Sequence, residues 1–181
     1  MSDMGRPFTV EDLDFMPDDG NVYELIDGVL FVSPPPGRRH QRALVRIGEL
    51  LDETCPEELA VLWPPYVVRP SLDTELRPDV QVAWDEDIDG EVVYDAPELV
   101  VEVVDPASTI NDRNNKKAAY ERMGVPHYWV LDPARPSMLV YELVDDGYEQ
   151  VTEVVAEEVF ETEEPFPVRI VLTELLGHHP S

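Results

Sequence analysis

The chain has 181 residues, 43% of them hydrophobic and 29% charged, which suits one folded domain with a real apolar core and excludes wholesale disorder. Thirteen basic residues stand against 39 acidic ones, a formal net charge of −26, and such a surface repels duplex DNA at long range. The single cysteine, Cys55, excludes an intrachain disulfide and a cysteine-built zinc site.

The opening MSDMGRPFTVEDLDF lacks the basic-then-apolar layout of a signal peptide, and no apolar run reaches the roughly 18 residues that span a bilayer. A cytoplasmic protein without membrane contact is expected. The first twenty residues read as a polar lead-in with one helical turn after Thr9. YELIDGVLFV then places two β-prone runs around Asp27-Gly28, a dipeptide that tolerates the positive φ of a two-residue hairpin turn. Beyond Pro34 to Pro36, the residues Ala43, Leu44, Ile47, Leu50 and Leu51 form one stripe at helical spacing, predicting a helix over about His40 to Thr54. Arg38, Arg39, Arg42 and Arg46 flank that stripe, most simply as a solvated face paired with Glu49 or Asp52.

ELAVLW and YVVR read as strands parted by Pro64-Pro65, and DVQVAW as a strand with one polar face that starts at Asp79. LVVEVV is apolar on both faces, as in a central strand, except for Glu102. A polar helix follows from Asn111 or Asp112 to Met123, with Ser108, Asn111 and Asp112 as candidate N-caps and Gly124 as its stop. HYWVLD is a further buried strand. MLVYEL, YEQVTEVV and VRIVL predict an antiparallel extension over about 136–176, ending in a short helix near Leu172 to Leu176. No repeat or linker interrupts the chain, so 1–181 reads as one domain, of helix, three strands, helix and strand between His40 and Asp132.

Charge is polarised along this order. Eight of the thirteen basic residues lie in two stretches, Arg38, Arg39, Arg42 and Arg46, then Arg113, Lys116, Lys117 and Arg122. Between Arg135 and Arg169 there is no basic residue and there are ten acids, a solubilising surface that also repels nucleic acid from that part of the molecule.

A carboxylate buried alone costs several kcal/mol, on the order of what protonation, a cation or a metal must offset, and Glu102 therefore needs a partner. Asp79, at the start of the preceding strand, is the nearest candidate. Two acids brought to one end of a sheet make a site for Mg²⁺ or Mn²⁺, ions that activate water and stabilise charge on a phosphodiester. Lys116, early in the following helix, can reach back over the strand end to orient water or neutralise phosphate. Tyr120, four residues on, shares its helix face; it reads first as a packing residue with a useful hydroxyl.

RPDV, ELVVEVVDPAS, DRNNKKAAYERMGV and HYWVLDP in this order, preceded by YELIDG and SPPPGRRH, resemble the Uma-two (DUF820-like) restriction-endonuclease family of the PD-(D/E)XK nuclease superfamily. The resemblance covers about Tyr23 to Pro133. It implies a mixed α+β fold, a restriction-endonuclease-like α-β-β-β-α-β core with a central mixed sheet flanked by helices, to which an N-terminal hairpin and the C-terminal extension are added. It further implies a Mg²⁺- or Mn²⁺-dependent endonuclease cutting DNA to 5′-phosphate and 3′-hydroxyl ends, with Asp79 and Glu102 as metal ligands and Glu24 as an additional acid completing the metal shell. Val104 stands where the motif lysine normally falls, and Lys116 resembles a lysine that has migrated to the helix, with Lys117 the alternative. His40 matches a position that is often histidine; with Arg39 and Tyr120 it is a candidate contact to substrate phosphate.

Each has a plainer reading. Glu24 alternates with Tyr23 and Leu25 as the outer face of a hairpin does, His40 suits a helix start, and lysine is usually solvated. Against a nuclease stand a catalytically inactive nuclease-fold module binding a protein or nucleic acid, suggested by the acidic charge, and a hydrolase of another phosphate ester. A homodimer rests on the class alone, since no segment shows a dimer seam.

Overall fold

The structure, a computed structural model, describes residues 6–106 and 110–177. A short helix, α1 (Val10–Leu13), takes up the expected turn after Thr9. β1 (Val22–Ile26) and β2 (Val29–Ser33) form the expected hairpin. Asp27 and Gly28 at its tip have φ of 51° and 75°. A Cβ on Gly28 would come within 2.6 Å of Pro7 Cβ, so the turn needs glycine for space as well as for backbone freedom.

α2 (Arg38–Asp52) begins two residues before the expected His40 and buries Ala43, Ile47 and Leu51. Six strands follow: β3 (Leu59–Leu62), β4 (Val67–Ser71), β5 (Thr74–Leu76), β6 (Val80–Trp84), β7 (Ile88–Asp89) and β8 (Val92–Val93). Then come β9 (Leu99–Val103), α3 (Ile110–Met123), β10 (His127–Asp132), β11 (Ser137–Val144), β12 (Gly147–Val155), β13 (Val159–Thr162), β14 (Val168–Val171) and α4 (Leu172–Leu176). Gly124, at φ 86°, ends α3, its N–H donating to the carbonyls of Tyr120 and Glu121. Asn111 and Asp112 lie inside α3 rather than at its cap, and Ser108 lies outside the described residues.

The central sheet has the order β12-β11-β10-β9-β6-β3. β9 and β10 are parallel and the other pairs antiparallel, so the sheet is mixed. The parallel pair requires a crossover, which α3 provides. α2 covers one face, where Ala43, Ile47 and Leu51 join Val80, Val82, Leu99, Val101, Val103, Trp129 and Leu131 in the main core. The expected helix, three strands, helix and strand are therefore α2, β3, β6, β9, α3 and β10.

The structure adds two placements that the sequence left open. The strand read in YVVR, β4, is not in the central sheet; after β3 the chain leaves it and returns at β6. The hairpin does not stand alone but joins a second six-stranded sheet, β2-β1-β5-β4-β8-β7. Its strands of two to five residues form three local hairpins, β1–β2, β4–β5 and β7–β8, which are joined by the non-local β1–β5 and parallel β4–β8 pairings. The C-terminal extension also divides: β11 and β12 widen the central sheet, while VRIVL pairs with β13 as a separate two-stranded ribbon.

Candidate active site

β6 and β9 run antiparallel with Val80 opposite Val101. Asp79, one residue before β6, therefore lies at the same sheet end as Glu102. Because Val80 and Val101 belong to the core under α2, alternation turns Asp79 and Glu102 to the opposite face. Asp79 is held there by two contacts of Oδ2, which accepts the backbone N–H of Val103 at 2.7 Å and lies 3.1 Å from His40 Nε2. His40, buried in the first turn of α2, reaches it around the strand end.

Lys116 projects from α3 back over this end, as its position in the sequence suggested. Its Nζ lies 2.8 Å from Glu102 Oε1 and 2.9 Å from Oε2, and 3.0 Å from Glu24 Oε1. Glu24 comes from β1, where it is buried despite its alternation with Tyr23 and Leu25, and its Oε1 also accepts the backbone N–H of Arg77 at 2.7 Å. The fully buried Tyr120 donates its hydroxyl to Glu102 Oε1 at 2.8 Å. The resemblance and the helix spacing thus name residues that meet: Glu24, Asp79, Glu102, Lys116, Tyr120 and His40. Lys117 points elsewhere, its Nζ 3.8 Å above the ring of Tyr141. Arg39 is exposed and does not line the cavity described below. Nor does its neighbour Arg46 serve a solvated ion pair; Nη1 donates to the carbonyl of Leu175 at 2.7 Å and ties α2 to α4.

Three carboxylates around one ammonium leave excess negative charge. Burial, with only partial relief from Lys116 and further repulsion from Asp79 and Glu24, pushes the Glu102 carboxyl up to about 8. Lys116 is moved the other way from a usual buried lysine: burial opposes its charge, but Glu102, Glu24 and Asp79 together hold it above the ordinary value. Burial works against a charged His40 as well, yet the hydrogen bond and charge of Asp79, helped by Asp105 and Glu102, keep it raised. Burial and Glu102 drive the Tyr120 hydroxyl well above its ordinary value, so it donates and does not ionise.

A divalent cation fits the donor chemistry of this cluster. Asp79 Oδ1 and Glu24 Oε2 accept no hydrogen bond from the described residues, and hard cations favour such oxygens. Both oxygens of Glu102, in contrast, are engaged by Lys116 and Tyr120. Among the described residues no group of three or more His, Cys, Asp or Glu is arranged to hold a metal as it stands. Glu102 must give up part of its lysine contact to serve as a ligand.

The cluster opens on a cavity of about 390 Å³ between the hairpin, the central sheet and α3. Several of its lining residues escaped the sequence reading. Asp105, just beyond β9, accepts the N–H of Gly37 at 3.0 Å and so fastens the turn before α2; an acid immediately after a catalytic-looking strand was the available signal. Phe31 and Tyr141 gave no signal, because an aromatic in a strand reads as packing. Arg113 lay in the second basic stretch and was legible only as charge.

No curated protein matches the chain. A crystal structure from Anabaena variabilis ATCC 29413, described as a "putative nuclease belonging to DUF820", superposes with a TM-score of 0.77 at 15% identity, covering 94% of this chain and 98% of that one. That likeness fixes the fold and not the activity. With residues 10–174 matched by its family model, the chain belongs to the Uma2 family, described as "Putative restriction endonuclease".

Proposed function

We propose that the protein is a Mg²⁺- or Mn²⁺-dependent endonuclease that hydrolyses phosphodiester bonds of DNA. The observation that carries this reading is the ammonium of Lys116 within 3.0 Å of both Glu24 and Glu102, beside Asp79 at the same sheet end. Family membership and the nuclease named for the structural relative support it.

Asp79 and Glu102, with Glu24, would hold the cation. When bound, it supplies Lewis acidity toward phosphate oxygens and lowers the pKa of water. Lys116, kept ionised by its acids, orients the attacking water or offsets charge on the phosphate as the transition state forms. Water oxygen gives up a proton to solvent as it bonds to phosphorus, the bond to the 3′ oxygen breaks, and that oxygen takes a proton from solvent, leaving 5′-phosphate and 3′-hydroxyl ends. Tyr120 fixes the carboxylate of Glu102, and His40 fixes Asp79.

Supercoiled plasmid and single-stranded DNA incubated with Mg²⁺, Mn²⁺ or EDTA test this. Wild type should cut in a metal-dependent way and Glu102→Ala and Lys116→Ala, folded and purified identically, should lose at least about a hundredfold in rate. No cutting by folded wild type overturns the reading.

One observation favours a second reading, a catalytically inactive nuclease-fold module that binds a protein or nucleic acid. Lys116 already fills the space between Glu24 and Glu102, so these acids are partnered without a metal ion. Thermal unfolding with and without Mn²⁺ separates the two, because a ligand of the native state raises its stability. An unchanged midpoint at millimolar Mn²⁺ selects the inactive module.

A further inference from the structure

The registers of the central sheet define a surface next to the acids. Glu102 on β9 is opposite Val130 on β10, and Val130 is opposite Leu139 on β11. One row along, Val100, Tyr128 and Tyr141 follow each other in the same way. Residues paired across strands share a face, so Val130, Leu139 and Tyr141 form an apolar floor that starts at Glu102. All three are only half-buried and line the cavity, with Phe31 of the hairpin as a further apolar wall.

Above this floor are two cations without acid partners. Lys117 lies over the Tyr141 ring and makes no ion pair among the described residues. The Nε of Arg113 is buried with no hydrogen-bond partner, and its guanidinium pairs with no carboxylate among the described residues. In a chain with 39 acidic and 13 basic residues this is unusual. Neighbouring arginines are engaged: Arg69 and Arg77 with Glu75, and Arg122 with Asp27. Arg113 and Lys117 are thus left for an anion supplied from outside.

We propose that this cavity takes one unpaired nucleotide of a single-stranded or locally opened nucleic acid, its phosphate drawing Lys117 off the Tyr141 ring toward Arg113 and its base on Val130, Leu139 and the ring so uncovered. The inference rests on the nuclease reading and narrows its substrate. A volume of about 390 Å³ is that of a small-molecule pocket, whose range is about 300–1,000 Å³, and is too small for a duplex. Stacking on aromatic and apolar side chains provides affinity that does not depend on charge. That matters on a protein of net charge −26, where attraction to the dense phosphates of a duplex is weakest. An unpaired base also avoids the cost of extrusion from a helix.

Fluorescence anisotropy in EDTA, where nothing is cut, tests the pocket with labelled oligonucleotides that are single-stranded, fully duplex, or duplex with one unpaired 2-aminopurine nucleotide. Single strands and the unpaired site should bind at least about tenfold tighter than the duplex. Tyr141→Leu, which keeps apolar bulk, and Lys117→Gln, on the helix surface, should each remove most of that preference while circular dichroism stays unchanged. Equal binding of all three probes, or a preference intact in both variants, overturns the proposal. If wild type cuts duplex and single strand alike with Mg²⁺ or Mn²⁺, the unpaired-nucleotide inference falls and the nuclease stands. Strand-selective binding with no cutting in any metal removes the nuclease and upholds the pocket.

Discussion

The two faces of the central sheet solve opposite problems with the same strands. Under α2, Leu99, Val101, Val103, Trp129 and Leu131 pack against Ala43, Ile47 and Leu51, and almost nothing there touches water. On the other face, the residues between them, Glu102 and Val130, border an open cavity whose lining includes the carboxylates of Glu24, Asp79 and Glu102 and the ammonium of Lys116. One face contributes stability through burial. The other spends some of it by gathering like charges in a partly desolvated place, a common trade at functional sites.

Truncating the buried face should have the largest effect. Trp129, 1% exposed and in edge contact with Phe160, should cost about 3–5 kcal/mol as Trp129→Ala, seen in the urea midpoint. On the site face, Glu102→Gln keeps an acceptor for Lys116 and Tyr120 while removing a repelled charge, so its midpoint should match or exceed wild type. A loss as large as that of Trp129→Ala would break the comparison.

Next comes Lys116→Ala, which leaves Glu24 and Glu102 without their cation. Removing one partner of a buried pair costs about 3 kcal/mol. The loss should be smaller in urea titrations at pH 6 than at pH 9, because Glu102 can take a proton at the lower pH. Equal losses at both values would show that Glu102 does not change its protonation between them.

The third effect is a slope. Glu102 titrates near 8 when folded, against an ordinary value of 4.5, so between these values the native state holds a proton that the unfolded chain has released. Stability must then fall as pH rises through that window and level off above about 8. The difference in unfolding free energy between wild type and Glu102→Gln isolates this term, and a difference that does not vary from pH 5 to 9 would remove it.

Smallest is Arg169→Ala. Its contacts with Glu161 and Glu174 are both 3.8 Å long and exposed, so a change within about 0.5 kcal/mol is expected. A larger loss would mean that the β13–β14 ribbon relies on charge rather than on the buried Val168 and Ile170.

How far the sequence could be read follows the same division. Glu102 was legible because a single acid interrupts an apolar strand, and Tyr120 because helix spacing places it beside Lys116. Lys116 and Glu24 needed the family resemblance: alone, one looks like a solvated helix residue and the other like the outside of a hairpin. Glu75 shows why the rest was hidden. It is only 2% exposed, yet nothing in the run Thr74–Leu76 signals burial. Its environment is made by β1 and β4 on either side, and its charge is met by Arg69 and Arg77. Arg46 was misjudged for a similar reason, since its partner carbonyl lies at the far end of the chain. Periodicity reports the face of an element and not which distant segment will cover it.

Four separate stretches of the chain supply Glu24, Asp79, Glu102 and Lys116, and the lysine is made last. On the ribosome the acids emerge first, on strands that cannot pair in full until β10 follows α3, and domains complete their packing as units. No fragment ending before α3 can assemble the cluster, so the three acids wait for a lysine that the chain supplies only after all of them have been made.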